Sequence, residues 1–187
     1  MLEFALVAAP FFYLLFGTLE LGLIFVANFC LSNATLQIAR QVRVGQVVLP
    51  GASVSSTTGI QMSLSAFKTA VCNNVPILSS NTCLSQLQVD VRTQTAFQGQ
   101  TAPSPLSSGN FNTSGFCFYS GAPGNIVTMH VYLLWPVMTP VLLQGLTSAT
   151  SMTTSGGTTS GNYFLMTSNE VFKNEPNATA TNNGSGC

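Results

Sequence analysis

Charge is what this chain has least of. Asp, Glu, Lys and Arg make up 5% of its 187 residues, against about 25% in ordinary soluble proteins. Five basic and five acidic residues cancel. No basic patch exists, so no nucleic-acid partner is expected. Histidine occurs once, as His130. The five cysteines (Cys30, Cys72, Cys83, Cys117 and Cys187) form no Cys-x-x-Cys pair. A zinc site needs about four Cys or His ligands at short spacing, so the expectation is no metal and no cofactor. There is no Walker loop, no G-x-S-x-G elbow and no H-E-x-x-H. The GAPG run at 121–124 is too short to cradle a phosphate and reads as a turn. His130 has no accompanying acid or nucleophile motif and reads as a sheet-face residue. The expectation is a protein without enzymatic chemistry. Its polarity comes from Ser, Thr, Asn, Gln and Gly. A nearly neutral surface does not repel its own copies, which suits a subunit of a packed assembly and also suits a membrane protein.

One long apolar run stands against that background. From Phe4 to Phe29, in FALVAAPFFYLLFGTLELGLIFVANF, only Thr18, Glu20 and Asn28 are polar. A helix of this length crosses a hydrocarbon core of ~30 Å. No Lys or Arg precedes it, and the first cation is Arg40. A secretory signal has a basic start and a shorter apolar stretch, so the chain reads as a mature form that lost a basic leader and kept its stem. Helical periodicity continues beyond the run, with Leu31, Ala34, Ile38 and Val42 forming an apolar stripe. Arg40 and Arg43 then oppose the helix dipole, and Gly45 reads as the stop. Residues 4–44 are expected to form one helix of about 60 Å. Pro10 should kink it, and Gly17 and Gly22 leave room for a neighbouring helix. Glu20 has Phe16 and Ile24 four residues to either side, so no intrahelical ion pair is available. A carboxylate in such a segment is costly. It is expected to be a neutralised acid, or to meet Thr18 or Asn28 of an adjacent stem. Either way its partner should come from another chain.

The remainder reads as a small α+β head. TGIQMSLSAFKTAVCNN suggests a short second helix with Ile60, Leu64, Phe67 and Val71 on one face. Cys72 and Cys83 bracket a loop of turn residues and are expected to form a disulfide, with two free thiols as the alternative. Cys30 and Cys117 are then candidates for buried free thiols. LQVDVRT alternates as a strand and makes Asp90 and Arg92 a same-face pair. Residues 95–125 read as a long surface loop. NIVTMHVYLLWPV is a strand with Val127, Met129, Val131 and Leu133 on one face, and PVLLQGL adds a helical turn. TSATSMTTSGGTTSG reads as a low-complexity loop, and NYFLMTSNEVF as a third strand. The expected organisation is a stem at 1–45, a globular domain at 46–176 and a Thr/Asn/Gly tail at 177–187. The fold class is α+β: a long hydrophobic, then amphipathic, helix packed on a small antiparallel sheet with a short second helix.

Several segments together resemble a known family. EFALVAAPFFYLLFGTLELG followed by QIARQVRVGQ is similar to the N-terminal signature of the TadE-like pilins and pseudopilins. These belong to the tight-adherence (Tad) branch of type IV pili. CNNVPILSSNTCLSQLQVDVRT resembles the family's cysteine loop and following strand, APGNIVTMHVYLLWPVMTPVL its central segment, and NYFLMTSNEVFKNEP its closing strand. Asn125 stands where the family commonly has Asp, and Glu3 stands only two residues after Met1.

The resemblance by itself implies a minor, pilus-assembly role, since TadE-like proteins are usually classed as pseudopilins. The neutral Ser/Thr-rich surface turns the expectation toward a structural subunit of a Tad-type filament that self-assembles through its stem. Its assembly residues would be Glu3, Phe4, Leu6, Pro10, Gly17, Glu20 and Gly22. Its partners would be copies of itself, the inner membrane before assembly, the pilus assembly platform and a prepilin peptidase. The head would face the periplasm before assembly and lie on a surface filament afterwards. The alternatives are a low-copy pseudopilin that primes or tips a filament of another pilin, and a membrane-anchored adhesive domain that never polymerises.

Overall fold

The computed structural model describes residues 2–48, 52–54, 60–94, 104–119, 121–154, 156–175 and 180–182. The side chain of Glu3, Cys187 and most of the 177–187 tail lie outside the described residues. Helix α1 is continuous over Leu2–Arg43 and runs through Pro10. It ends where Gly45 takes a left-handed conformation (φ 73°) and donates its N–H to the Val42 carbonyl at 3.1 Å, a turn that glycine adopts without steric cost.

Short pairings follow: β1 (Val47–Val48) with β3 (Ile60–Gln61), and β2 (Ala52–Val54) with β10 (Ala180–Asn182). Helix α2 (Leu64–Asn73) opens on Ser63, whose hydroxyl accepts the Ala66 N–H at 3.2 Å, satisfying one of the free amides of the first turn. Phe67 and Val71 are its buried face, while Leu64 stays exposed. Helix α3 (Ser80–Gln86) follows, where the turn residues of the sequence suggest only a loop. Cys72 near the end of α2 and Cys83 in the middle of α3 form a disulfide with Cα atoms 5.8 Å apart, so the two helices are stapled together.

The main sheet has six strands in the order β4–β7–β9–β8–β6–β5. These are β4 (Leu87–Gln94), β5 (Leu106–Ser107), β6 (Asn110–Asn112), β7 (Ile126–Pro136), β8 (Ala149–Thr154) and β9 (Gly157–Lys173), with helix α4 (Pro140–Leu146) between β7 and β8. All neighbours are antiparallel except β6 and β8. The segment 147–161, expected as loop, is instead the β8–β9 hairpin. Its threonines suit a pleated strand, and Thr153 pairs with Thr158 and Thr154 with Gly157. Part of the expected 95–125 loop also joins the sheet, because Phe111 on β6 is fully buried.

Two cores flank the sheet. Val127, Met129, Val131 and Leu133 of β7 face α1 and pack with Leu31, Ile38, Val42 and Met166. The opposite face of β7 supplies Tyr132 and Leu134 to a smaller cluster with Phe111, Met152 and Tyr163. Asp90 is fully buried and accepts two bonds from Arg92 Nε, at 3.0 and 2.8 Å, and one from the Cys117 N–H at 2.7 Å. It thereby ties the 115–119 segment to β4. Cys117 is disulfide-bonded rather than a free thiol. Cys30 is the free cysteine among the described residues. The end of β9 is tied to the start of β7: Asn174 donates its N–H to Asn125 O at 2.9 Å, and its carbonyl accepts the Gly124 N–H at 3.1 Å.

Candidate assembly and membrane interface

Along α1, burial begins abruptly. From Phe4 to Phe16 the large side chains are exposed: Phe4 at 79%, Leu6 at 77% and Leu14 at 65%. From Gly17 onward one face is covered at a helical period, by way of Gly17, Glu20, Ile24, Ala27, Leu31, Ala34, Ile38 and Val42. The head therefore clasps the stem well inside the apolar run. Gly17 is covered by its own chain. Gly22 looks into open space: a methyl group in place of its hydrogen would meet no atom within 4 Å.

Glu20 is the polar member of that covered face. Its Oε1 accepts the Met138 N–H at 2.8 Å, and its Oε2 accepts the Thr139 N–H at 2.9 Å and the Thr139 hydroxyl. The expectation of a partner on an adjacent stem is corrected: the donors belong to the same chain. The reason lies in the sequence W-P-V-M-T-P. Pro136 ends β7 and Pro140 opens α4, and the three residues between them leave regular structure with their amides free of any ladder. Val137 gives its N–H to Asn162 O at 2.9 Å. Met138 and Thr139 aim theirs at the carboxylate. Neither proline has an N–H to satisfy. The local signal was the paired prolines, but nothing in the sequence assigns Glu20 to them, since Met138 lies 118 residues further along the chain.

Beside Glu20 lies an almost wholly apolar cleft of about 620 Å³, with Tyr13, Phe16 and Leu23 on the stem side and Ile77, Leu78, Trp135 and Met138 on the head side. Ile77 and Leu78 come from the loop that the 72–83 disulfide closes. Met138 is 79% exposed at the rim. Of the other sequence candidates, Phe4, Leu6 and Pro10 lie on the exposed part of α1, and the side chain of Glu3 lies outside the described residues. His130 sits on the sheet face, with Nδ1 2.7 Å from Asn169 Oδ1. Lys68 bonds Gln88 Oε1 at 3.1 Å, and its burial pulls its pKa down.

This geometry is an anchor-and-head arrangement. Residues 1–40 match the family model described as TadE-like protein. The match covers the exposed stem and most of the docked half of α1. Over this segment the chain is similar to TadE-like proteins. No curated protein and no solved structure matches the chain. Among the described residues, one helix is long and apolar enough to cross a membrane, which fits membrane anchoring for this TadE-like stem.

Proposed function

We infer that the protein is a non-enzymatic structural subunit of a Tad-type pilus filament, polymerising through its N-terminal helix. The observation that carries this reading is the exposed apolar surface of α1 from Phe4 to Phe16, continuous with the exposed Leu19, Phe25 and Phe29. Such a surface needs lipid or other stems around it. Before assembly the stem spans the inner membrane and the head faces the periplasm. During assembly the stems exchange lipid for one another, held by van der Waals packing, and the neutral Ser/Thr-rich heads coat the outside.

The TadE-like match favours a second reading, since that family is usually classed with the pseudopilins: a low-copy subunit that primes or tips a filament of another pilin. Both readings are tested by shearing surface filaments, imaging them and measuring the subunit ratio. The expected result is this chain as the main component of the filaments. A trace amount beside a smaller, abundant pilin selects the low-copy role. Absence from filaments, with the chain retained in detergent-solubilised membrane, overturns both and leaves a membrane-anchored domain.

A further inference from the structure

The head's grip on the stem has a consequence for the membrane stage. Glu3 bounds the apolar run on one side, and the head begins to cover α1 at Gly17. The uncovered stretch from Phe4 to Phe16 is about 20 Å long at 1.5 Å per residue. A hydrocarbon core is ~30 Å thick, and tilting the helix only lengthens the path. The docked stem is therefore too short to span on its own. The missing depth falls on the next turns of α1, where the head lies against one side of the helix, Leu19 and Leu23 line the open cleft beside it, and Leu21 and Phe25 are exposed.

We propose that the head is partly submerged: the rim formed by Ile77, Leu78, Trp135, Met138 and Pro140 sits in the hydrocarbon of the head-side leaflet, with lipid acyl chains in the cleft beside Glu20. This rests on the membrane-anchored stage proposed above. Three features of the rim suit it to lipid. First, its lining is almost wholly apolar, and Glu20 is its one charged member among the described residues. Second, Glu20 has both oxygens engaged by donors from its own chain. If the head lifted away, that carboxylate would stand in hydrocarbon without them, a costly arrangement. Third, irregular backbone is tolerated at membrane depth only where its polar groups are satisfied. From Pro136 to Pro140 every residue meets that condition at its amide: Val137 bonds Asn162, Met138 and Thr139 bond Glu20, and the two prolines have no N–H. This stretch, which meets α1 at Glu20, thus leaves no N–H to hydrate.

The chain carries its own probe, because Trp135 is its single tryptophan and lines the cleft. The full chain is reconstituted into phosphatidylcholine vesicles brominated at successive acyl positions, and Trp135 emission is recorded. The expected result is quenching that is strongest for bromines near the head-group end of the acyl chain. Met138→Arg should reduce that quenching to roughly half or less by placing a charge at the rim, while Met138→Leu keeps it. Alkaline carbonate extraction is run in parallel. A chain that resists carbonate but shows no quenching has its head above the hydrocarbon, or its cleft filled by a second copy. Either overturns this inference and leaves stem anchoring intact. Quenching unchanged in Met138→Arg overturns it too. A chain that carbonate removes overturns both this inference and the membrane stage of the proposed function.

Discussion

The two parts of α1 on either side of Gly17 are built from the same kinds of residue and have different fates. Phe11, Leu14 and Phe16 are exposed, whereas Ile24, Ala27 and Leu31 are buried against the sheet. Hydropathy does not separate them. What separates them is where the head ends, and that is fixed by the Pro136–Pro140 segment reaching Glu20. Among the described residues no large side chain of the free part is buried, so its substitutions should act on insertion and assembly. The docked part is core, so its substitutions should act on the stability of the head. Glu20 sits close to the boundary and belongs to both.

Leu31 tests this contrast most severely. It is fully buried between α1 and the sheet, and Leu31→Ala should destabilise the head by ~2–5 kcal/mol through lost burial and the cavity left behind. Leu14→Ala, at a position 65% exposed, should leave it unchanged. Denaturant unfolding in mild detergent, followed by Trp135 emission, reads both. Equal losses would mean that the free part is packed after all.

The disulfide sharpens the comparison from the head side. It closes a short loop between α2 and α3, and that loop presents Ile77 and Leu78 to the stem cleft. Replacing Cys72 and Cys83 by serine should cost ~2–3 kcal/mol in the chain-entropy account. Mass mapping of the unreduced protein checks the bridge itself: alkylation of both thiols without reductant would refute it.

Glu20→Leu comes next. It removes the acceptor for two backbone amides and a hydroxyl, and stranding such donors costs ~1–3 kcal/mol. The variant should still insert into the membrane, since an apolar residue replaces an acid. Its head should melt earlier, and filament yield or helical order should fall. Glu20→Gln keeps one acceptor oxygen and should lose less. Wild-type melting of Glu20→Leu would show that the clasp contributes nothing to docking.

Much of this is legible in the sequence, for identifiable reasons. The α1 stripe at Leu31, Ala34, Ile38 and Val42 stands out because Gln37, Arg40 and Gln41 lie between its members. The β7 face is readable where Thr128 and His130 alternate with Val127, Met129 and Val131, although Tyr132 to Trp135 is apolar on both faces. The same stripe runs back to Gly17, but there it is invisible, because its neighbours Leu19, Leu21, Leu23, Phe25 and Val26 are equally apolar. Periodicity carries information only where the two faces differ. The partner of Glu20 is hidden by sequence distance: a carboxylate on a stem shows its need for donors, not which loop supplies them. The β8–β9 hairpin is hidden because Ser, Thr and Gly are also loop formers, although threonine favours strands once a neighbour such as β7 is there to extend the sheet.

Glu170 offers the smallest effect and a signed one. It pairs in register with Met129 on β7 and lies on the side of β9 that carries Met166 and Phe172 toward α1. Burial raises its pKa above the ordinary 4.5, because the surroundings disfavour the ionised form. Ionisation therefore costs more in the folded head than in the unfolded chain, and the sign follows from proton linkage. As pH falls from neutral through the raised value, the folded state takes up the proton first and stability rises. Once pH is well below 4.5 both states are protonated and this contribution stops changing. Glu170→Gln, which is neutral throughout, should be slightly more stable than the wild type at neutral pH. The gain should be below ~1 kcal/mol, since the group is only partly shielded from solvent. The difference should shrink steadily as pH falls through the raised pKa. Thermal unfolding of both proteins across that range checks it, and a variant less stable than wild type at neutral pH would show that the Glu170 carboxylate has a favourable partner on the docked part of α1.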